Sequence, residues 1–369
     1  MVVGTAPETH PLRAPTLGEA RETQFRLMEC VCAHFDGAQL LQADYGNVPG
    51  LGRPRTTARV EAVLADFFGA SACVLVQGSG TGAIRSMLAA ALRPTEKLVV
   101  HAGAPYATTR TSFSAMSLDL VEVDYNEPSD LDALLDGLRG VGWAYVQHPR
   151  HDIEDSYDPG AVIRRLRAAG LRVLTDDNYT VFKVPRTGVE LGADATAFSL
   201  FKMLGPEGVG CVVGAEDIVD RIHEDNYSGG GQVQGPQALD GLRSLVLAPV
   251  LWAVQAEVVD EVANRLSSGE VPGIATAKVV NAQDRMILVL TEEPIAQRVV
   301  ELSRQFGGQN YPVGANSRYE IAPFIYRLSG ANLESRPELA DYAVRVNPVR
   351  AGSDLVISIL RRSIEAAKK

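Results

Sequence analysis

From Thr56 onward the apolar positions fall into two alternating rhythms. Val60, Val63, Leu64, Phe67 and Phe68 recur at helical spacing, as do Ile84, Met87, Leu88, Ala91 and Leu92. Short apolar runs lie between and after them: CVLV (73–76), LVVH (98–101), LDLVEVD (118–124), WAYV (143–146), LRVLT (171–175), ATAF (195–198) and GVGCVVG (208–214). Runs this short, apolar at successive positions, predict strands buried on both faces. Their alternation with helical segments predicts an α/β unit built on a mainly parallel sheet.

The two ends read differently. A helical stretch, EARETQFRLMECVCAHF, precedes a Gly/Pro-rich run, YGNVPGLGRPRTT, and together they suggest an N-terminal arm over 1–55. After GPQALDGLRSLVLAPVLWAVQAEVV come two strand-like runs (TAKVV, MILVLT), a helix over 294–306, a strand around AVRVNP and a last helix. The expected organisation is a large unit over 56–240 and a smaller α+β unit over 241–369. No repeat or low-complexity segment interrupts it.

Composition narrows the function. The 369 residues are 46% hydrophobic and 22% charged, with a formal net charge of −10, so the chain has no general attraction for nucleic acid or an anionic membrane. Any anion must be captured by a local site. No apolar run reaches the roughly 18 residues of a membrane span, and MVVGTAPETHPLRAPT lacks a cationic segment followed by an apolar one. A cytoplasmic location is the expectation. Cys30 and Cys32 stand too close for a metal knuckle, no second pair exists beside Cys73 and Cys211, and no metal is expected.

Three segments carry chemistry. In LVQGSGTGAIRSML a strand runs through a glycine-rich turn into a helix, which points backbone N–H groups at an anion. The turn lacks the Gly-Lys-Ser/Thr of a triphosphate loop, and Ala83 breaks the dinucleotide spacing. By itself it is compatible with tight packing alone, or with a nucleotide-binding module. In LTDDNYT a strand ends in Asp176, Asp177 and Asn178, at the edge where parallel sheets place ligands. In SLFKMLGPEGVG one lysine, Lys202, sits between two apolar runs. Anion cradle, strand-end carboxylate and strand-end lysine, in that order, are the parts that pyridoxal 5'-phosphate requires. They supply phosphate donors, a carboxylate for the ring nitrogen and an amine for the aldehyde. Tyr106, in HAGAPYATT, is placed to stack on the ring.

At these motifs the chain resembles the fold-type-I pyridoxal-phosphate enzymes, the aspartate aminotransferase superfamily. Locally it is similar to the cystathionine γ-synthase and β-lyase branch. SGTG matches that branch's Ser-Gly-Met-Ala, YATT its Tyr-Gly-Gly-Thr, DNYT its Asp-Asn-Thr, SLFK its Ser-x-Thr-Lys, and QGPQALDGLRSL its Ser-Pro-x-x-Ala run leading to Arg-Gly-Leu-x-Thr-Leu. Over nearly its whole length the chain resembles a bacterial class-V-aminotransferase-like family. The resemblance implies phosphate binding by Ser79, Gly80, Thr81 and Ser199, ring stacking by Tyr106, a ring-nitrogen partner at Asp177 rather than Asp176, and a Schiff base at Lys202. Asn178 and His148 become neighbours of the ring or substrate. A substrate α-carboxylate wants an arginine, and Arg345 and Arg327 are candidates, with Arg345 favoured by its strand before the last helix. Phe201 departs from the branch, which has a hydroxyl there. Tyr45, Arg53, Arg55 and the backbone around Gly229 are candidates to reach the site of a second subunit, which implies a homodimer or an assembly of dimers. Acting on an amino acid, such an enzyme is expected to be an aminotransferase. Elimination, replacement, racemisation and a non-catalytic regulatory role are the alternatives.

Overall fold

A computed structural model of the chain describes residues 7–103, 105–127, 129, 131, 140–280, 285–311, 317–328, 332–333 and 336–369. The expected strands form β1 (Ala72–Gln77), β2 (Lys97–His101), β3 (Asp119–Val123), β4 (Trp143–Gln147), β5 (Arg172–Asp176), β6 (Ala195–Ser199) and β7 (Val209–Gly214). They make one sheet in the order β1-β7-β6-β5-β4-β2-β3. β2 to β6 pair parallel, while β7 runs antiparallel to both β6 and β1. The exception has a local cause. Residues 200–208 are too few for a crossover of a dozen or more, so the chain returns antiparallel.

The strands are apolar on both faces because both faces are covered. Cys73 and Leu75 pack with Phe198, Cys211 and Val213 toward α1 (Leu17–His34), α2 (Arg55–Phe67) and the first half of α7 (Gly235–Ser267). Val74 and Val76 turn the other way, onto α3 (Ser79–Ala91) and α6 (Glu216–Asp225). Near β3, β4 and β5 a further cluster is filled by Val162, Ile163 and Leu166 of α5 (Pro159–Ala168), and α4 (Ala107–Ala115) buries Phe113 against Tyr145. Thr16 and Glu19 form a reciprocal capping box that starts α1.

α7 joins the two units. It is long and apolar enough to cross a membrane by composition, but half of that stretch is buried inside the protein. Leu239, Leu242, Leu245 and Trp252 enter the core of the large unit, and Val259, Val262 and Leu266 enter that of the small one. The expected boundary after residue 240 therefore lies inside a continuous helix. The small unit is an antiparallel sheet in the order β10-β11-β9-β8, from β8 (Ile274–Val280), β9 (Met286–Thr291), β10 (Phe324–Arg327) and β11 (Ala343–Asn347). β10 was not among the expected strands. One face packs on α7, α8 (Ala296–Ser303) and α9 (Ser353–Ala367). The other carries Leu288, Phe324 and Tyr326, and Ile153 from the loop after β4 is buried in that cluster.

α2 buries one charge. Glu61 accepts a hydrogen bond from the Leu75 N–H at 2.9 Å and pairs with Arg53 Nε at 2.6 Å. Arg53, a candidate to reach a second subunit, is thus paired through its Nε within its own chain. Burial pushes the Glu61 carboxyl up to about 7, and Arg53 only partly opposes it. A raised carboxyl pKa favours the fold below the unfolded value, and that share is lost as pH rises through about 7. Glu61→Gln does not titrate. Beyond a constant offset for the lost ion pair, its stability relative to wild type should improve by up to roughly 3 kcal/mol between about pH 5 and about pH 8. Denaturant curves at the two pH values measure this, and parallel curves would contradict the assignment.

Candidate active site

β1, β4, β5 and β6 end at one edge of the large sheet, and a cavity of about 410 Å³ lies there. Its first wall is the turn after β1. The N–H groups of Gly78 and Ser79 both donate to the Gly208 carbonyl at 2.8 Å, with φ of +96° at Gly78 and +57° at Ser79. The turn opens directly into α3, whose N-terminus has no side-chain cap, so its first N–H groups face the cavity as an anion site. Two glycines are required by close approach. A Cβ at Gly80 would stand 1.7 Å from Asn178 Oδ1, and one at Gly82 would stand 2.1 Å from the Gln77 carbonyl oxygen. Ser79 Oγ meets Ser199 Oγ at 2.6 Å, and Thr81 Oγ1 lies 3.4 Å from Thr108 Oγ1. Ser79, Gly80 and Thr81 line the cavity, while Ser199 is fully buried behind Ser79.

The two carboxylates after β5 have opposite fates. Asp176 still belongs to the strand, in register with Gln147 and Ala197, and it lines the cavity. Its Oδ1 accepts from the Asn178 N–H at 3.0 Å and from Asn178 Nδ2 at 2.7 Å. Burial pushes its pKa up, against the opposing pull of Asn178 and Lys202. Asp177 lies in the turn and points into the protein. Its Oδ2 accepts from His148 Nδ1 at 2.8 Å, Thr180 Oγ1 at 3.2 Å and the Gly188 N–H at 3.0 Å. Asp176 thus lines the cavity, while Asp177 keeps its Oδ1 buried and without a hydrogen-bond partner. His148 is buried against Asp177 and does not itself line the cavity.

Lys202 comes just after β6 in a single 3-10 turn, Phe201–Met203, and its Nζ sits 3.4 Å from the centroid of the Tyr179 ring. Phe201 lines the cavity as a bare ring where a hydroxyl was expected from the resemblance. Tyr106 is the residue before α4. Its N–H donates to Gln147 Oε1 at 3.1 Å, its ring lines the cavity, and burial pushes its phenol pKa up. Of the two arginines, Arg345 lines the cavity over the face of Tyr326 at 4.1 Å and donates from Nε to the Arg327 carbonyl at 3.1 Å. Arg327 itself is exposed at the end of β10 and contributes that backbone oxygen. The remaining candidates share one outer face. Tyr45 and Arg55 are exposed, and the segments carrying Tyr45 and Gly229 are tied by Asn47 Nδ2 to the Tyr227 carbonyl at 3.3 Å.

Gln147, His151, Tyr179 and Tyr326 line the cavity without having been singled out from sequence. Tyr179 had a signal: it is the residue after Asn178 in LTDDNYT. The other three sit on a strand end, a loop and a strand whose approach is long-range.

Gly80→Ala should destabilise the fold by about 1–3 kcal/mol, through the clash with Asn178. Asn178→Ala placed on top of it should recover part of the loss, a coupling that a double-mutant cycle measures. Strict additivity of the two changes would show that the close approach is not the cause.

Comparisons with known proteins agree with this geometry. An aminotransferase class-V family model matches residues 58–243, and a model of the YhfS-like C-terminal domain matches 260–360. YhfS of Escherichia coli is 48% identical over 358 residues, which cover 97% of this chain and 99% of that protein. The crystal structure of YhfS, described as pyridoxal-5'-phosphate dependent, superposes with a TM-score of 0.95 over the same 97% and 99%. Cystathionine γ-synthase from Xanthomonas oryzae, at 18% identity, gives 0.69 over 93% of this chain and 98% of its own. A cystathionine γ-lyase from Micromonospora echinospora, at 16% identity, gives 0.69 over 88% and 92%.

Proposed function

The chain belongs to the class-V aminotransferase family and has the fold-type-I architecture, and on that premise we propose that it is a pyridoxal-5'-phosphate-dependent enzyme acting on an α-amino acid. One observation carries the reading. Lys202, Asp176 and the uncapped end of α3 face a single cavity. Its polar atoms fit such a group. Among the described residues Asp177 Oδ1, Asn178 Oδ1 and Arg345 Nη1 are among the atoms buried without a hydrogen-bond partner, as groups awaiting a polar ligand are.

The roles derive from position. Ser79, Gly80 and Thr81 at the head of α3 would hold the phosphate, with Ser199 orienting Ser79. Tyr106 would cover the ring, Asp176 would face its nitrogen, and Lys202 would hold the cofactor covalently through its ε-amine. When bound, pyridoxal phosphate supplies an electron sink conjugated to the substrate's Cα. Asp176 is costly as a bare buried anion, and a cationic ring nitrogen opposite it removes that cost. Arg345, held by the Arg327 carbonyl and stacked on Tyr326, offers its guanidinium to an α-carboxylate. With its amine free, Lys202 would be placed to take the Cα proton, and the Tyr179 face, 3.4 Å from its Nζ, would stabilise the resulting ammonium. Transamination is the first reading of the overall reaction. Elimination of a side-chain group is the second, supported by the motifs SGTG, YATT and SLFK. We place a second copy of the chain against the face bearing Tyr45, Arg55 and Gly229; sedimentation equilibrium giving the mass of one chain would overturn this.

Purified protein should be yellow, and borohydride should fix the colour on the peptide containing Lys202. A Lys202→Ala protein that still forms a reducible adduct contradicts the assignment. Keto acid formed while the cofactor turns to its amine form means transamination; keto acid with free ammonia means elimination. Asp176→Asn should cut turnover at least about 100-fold with the cofactor still bound. Asp177→Asn should keep most of the turnover and lose stability by about 1–3 kcal/mol, because it strips the Gly188 and His148 contacts of their charge. The reverse pattern would return the ring-nitrogen role to Asp177.

A further inference from the structure

The loop after β4 is anchored far more heavily than the cofactor reading requires. Gln147 Nε2 donates to the Pro149 carbonyl at 3.1 Å. Arg150, buried, donates to the Tyr157 carbonyl at 2.8 Å and also to the His10 carbonyl. Arg336 of the small unit reaches Asp152 Oδ1 at 3.1 Å, and Ile153 is buried against the small unit's sheet. Asp155 Oδ1 accepts from His101 Nε2 at 3.0 Å and Asn126 Nδ2 at 3.2 Å. The Tyr125 N–H donates to His101 Nδ1 at 3.0 Å, which fixes the proton of that imidazole on Nε2. Residues on both sides of position 151 are thus tied into separate parts of the molecule, and His151 between them lines the cavity.

The ring of His151 stands edge-on to Tyr106, with 6.2 Å between centroids, in the same lining as Lys202 and Arg345. Among the other polar groups there, Gln147 is engaged by the Tyr106 N–H and the Pro149 carbonyl, and the Tyr179 face is engaged by Lys202. With the α-carboxylate at Arg345 and Cα at Lys202, His151, the one histidine of the lining, offers an imidazole to the substrate's third substituent. Its charge state is set by its surroundings. Burial lowers its pKa most; Arg110 and Arg345 lower it further, while Asp155 and Asp152 oppose. A neutral imidazole presents one donor and one acceptor and no charge.

We propose that His151 is the residue that selects the substrate's side chain, and that this side chain carries an uncharged hydrogen-bonding group, a hydroxyl or a carboxamide. The proposal rests on the cofactor reading above and specifies its substrate class. A half-buried imidazole left unpaired when an apolar side chain closes over it is penalised, and that penalty is the source of discrimination.

The holoenzyme is titrated, by its visible absorbance, with L-serine, L-homoserine, L-asparagine and L-glutamine, against L-alanine and L-2-aminobutyrate and against L-aspartate and L-glutamate. At least one uncharged polar amino acid should bind about 10-fold or more tightly than its apolar counterpart. His151→Phe should collapse that ratio to within about 2-fold, while His151→Gln, which keeps a donor and an acceptor, should hold part of it. A merely structural histidine would weaken all ligands in proportion and leave the ratio standing, which overturns the proposal. A preference for aspartate or glutamate overturns it as well. Colourless protein with no adduct at Lys202 overturns the cofactor reading and this proposal together. An intact chromophore with an unchanged ratio overturns only the role of His151.

Discussion

The site depends on how close one amide comes to one stretch of backbone. Asn178 gives two hydrogen bonds to Asp176 and lies over Gly80 so tightly that no side chain fits there. That contact fixes the end of β5 against the start of α3. It therefore sets the distance between the carboxylate and the anion cradle without any residue that bridges them directly. A rigid arrangement of this kind suits a flat ligand with a cation at one end and a dianion at the other. The Gly78–Ser79 turn, pinned to the Gly208 carbonyl, holds the cradle from the other side. The β6–β7 hairpin thus serves both walls: it carries Lys202 and supplies Gly208.

Much of this could be read from sequence because it is local. The strands were legible because both faces of the sheet are buried, which leaves continuous apolar runs, and the glycine turn, Lys202 and Tyr106 fall within or beside short motifs. The choice between Asp176 and Asp177 was not legible. Motif matching favours the residue before Asn178, but the strand continues through Asp176 and its pleat aims that side chain into the cavity. Asp177 then falls in the turn, where His148, Thr180 and Gly188 claim its Oδ2 and its Oδ1 stays without a partner. The pairing of Arg53 was not legible for a related reason, since its counter-ion Glu61 is buried and no local pattern announces the pair. β10 escaped notice because four residues ending in an exposed arginine make a weak period.

The two units meet through polar atoms as well as apolar ones. Arg345 sits on the small unit's sheet and opens into a cavity built by the large one. Arg336 reaches across to the loop after β4, and Lys278 and Arg285 hold the Pro7 and Leu12 carbonyls of the N-terminal segment. Position 345 is therefore defined by how the small unit sits on the large one. An arginine at the end of such an arrangement responds to tilts too small to disturb either core.

α7 gives that tilt a place to happen. Pro249 stands inside the helix, just before Trp252, its last side chain in the large unit's core; the turns packed in the small unit begin at Val259. Proline has no N–H to offer, so the carbonyl of Leu245 loses its usual donor one turn back, and the ring presses against that turn. Bending costs least at this point of the rod. A hinge there would swing Arg345 toward or away from Lys202 while β8 to β11 travel as one body. The opening of the substrate pocket would then be set by a helix that contributes no side chain to its walls.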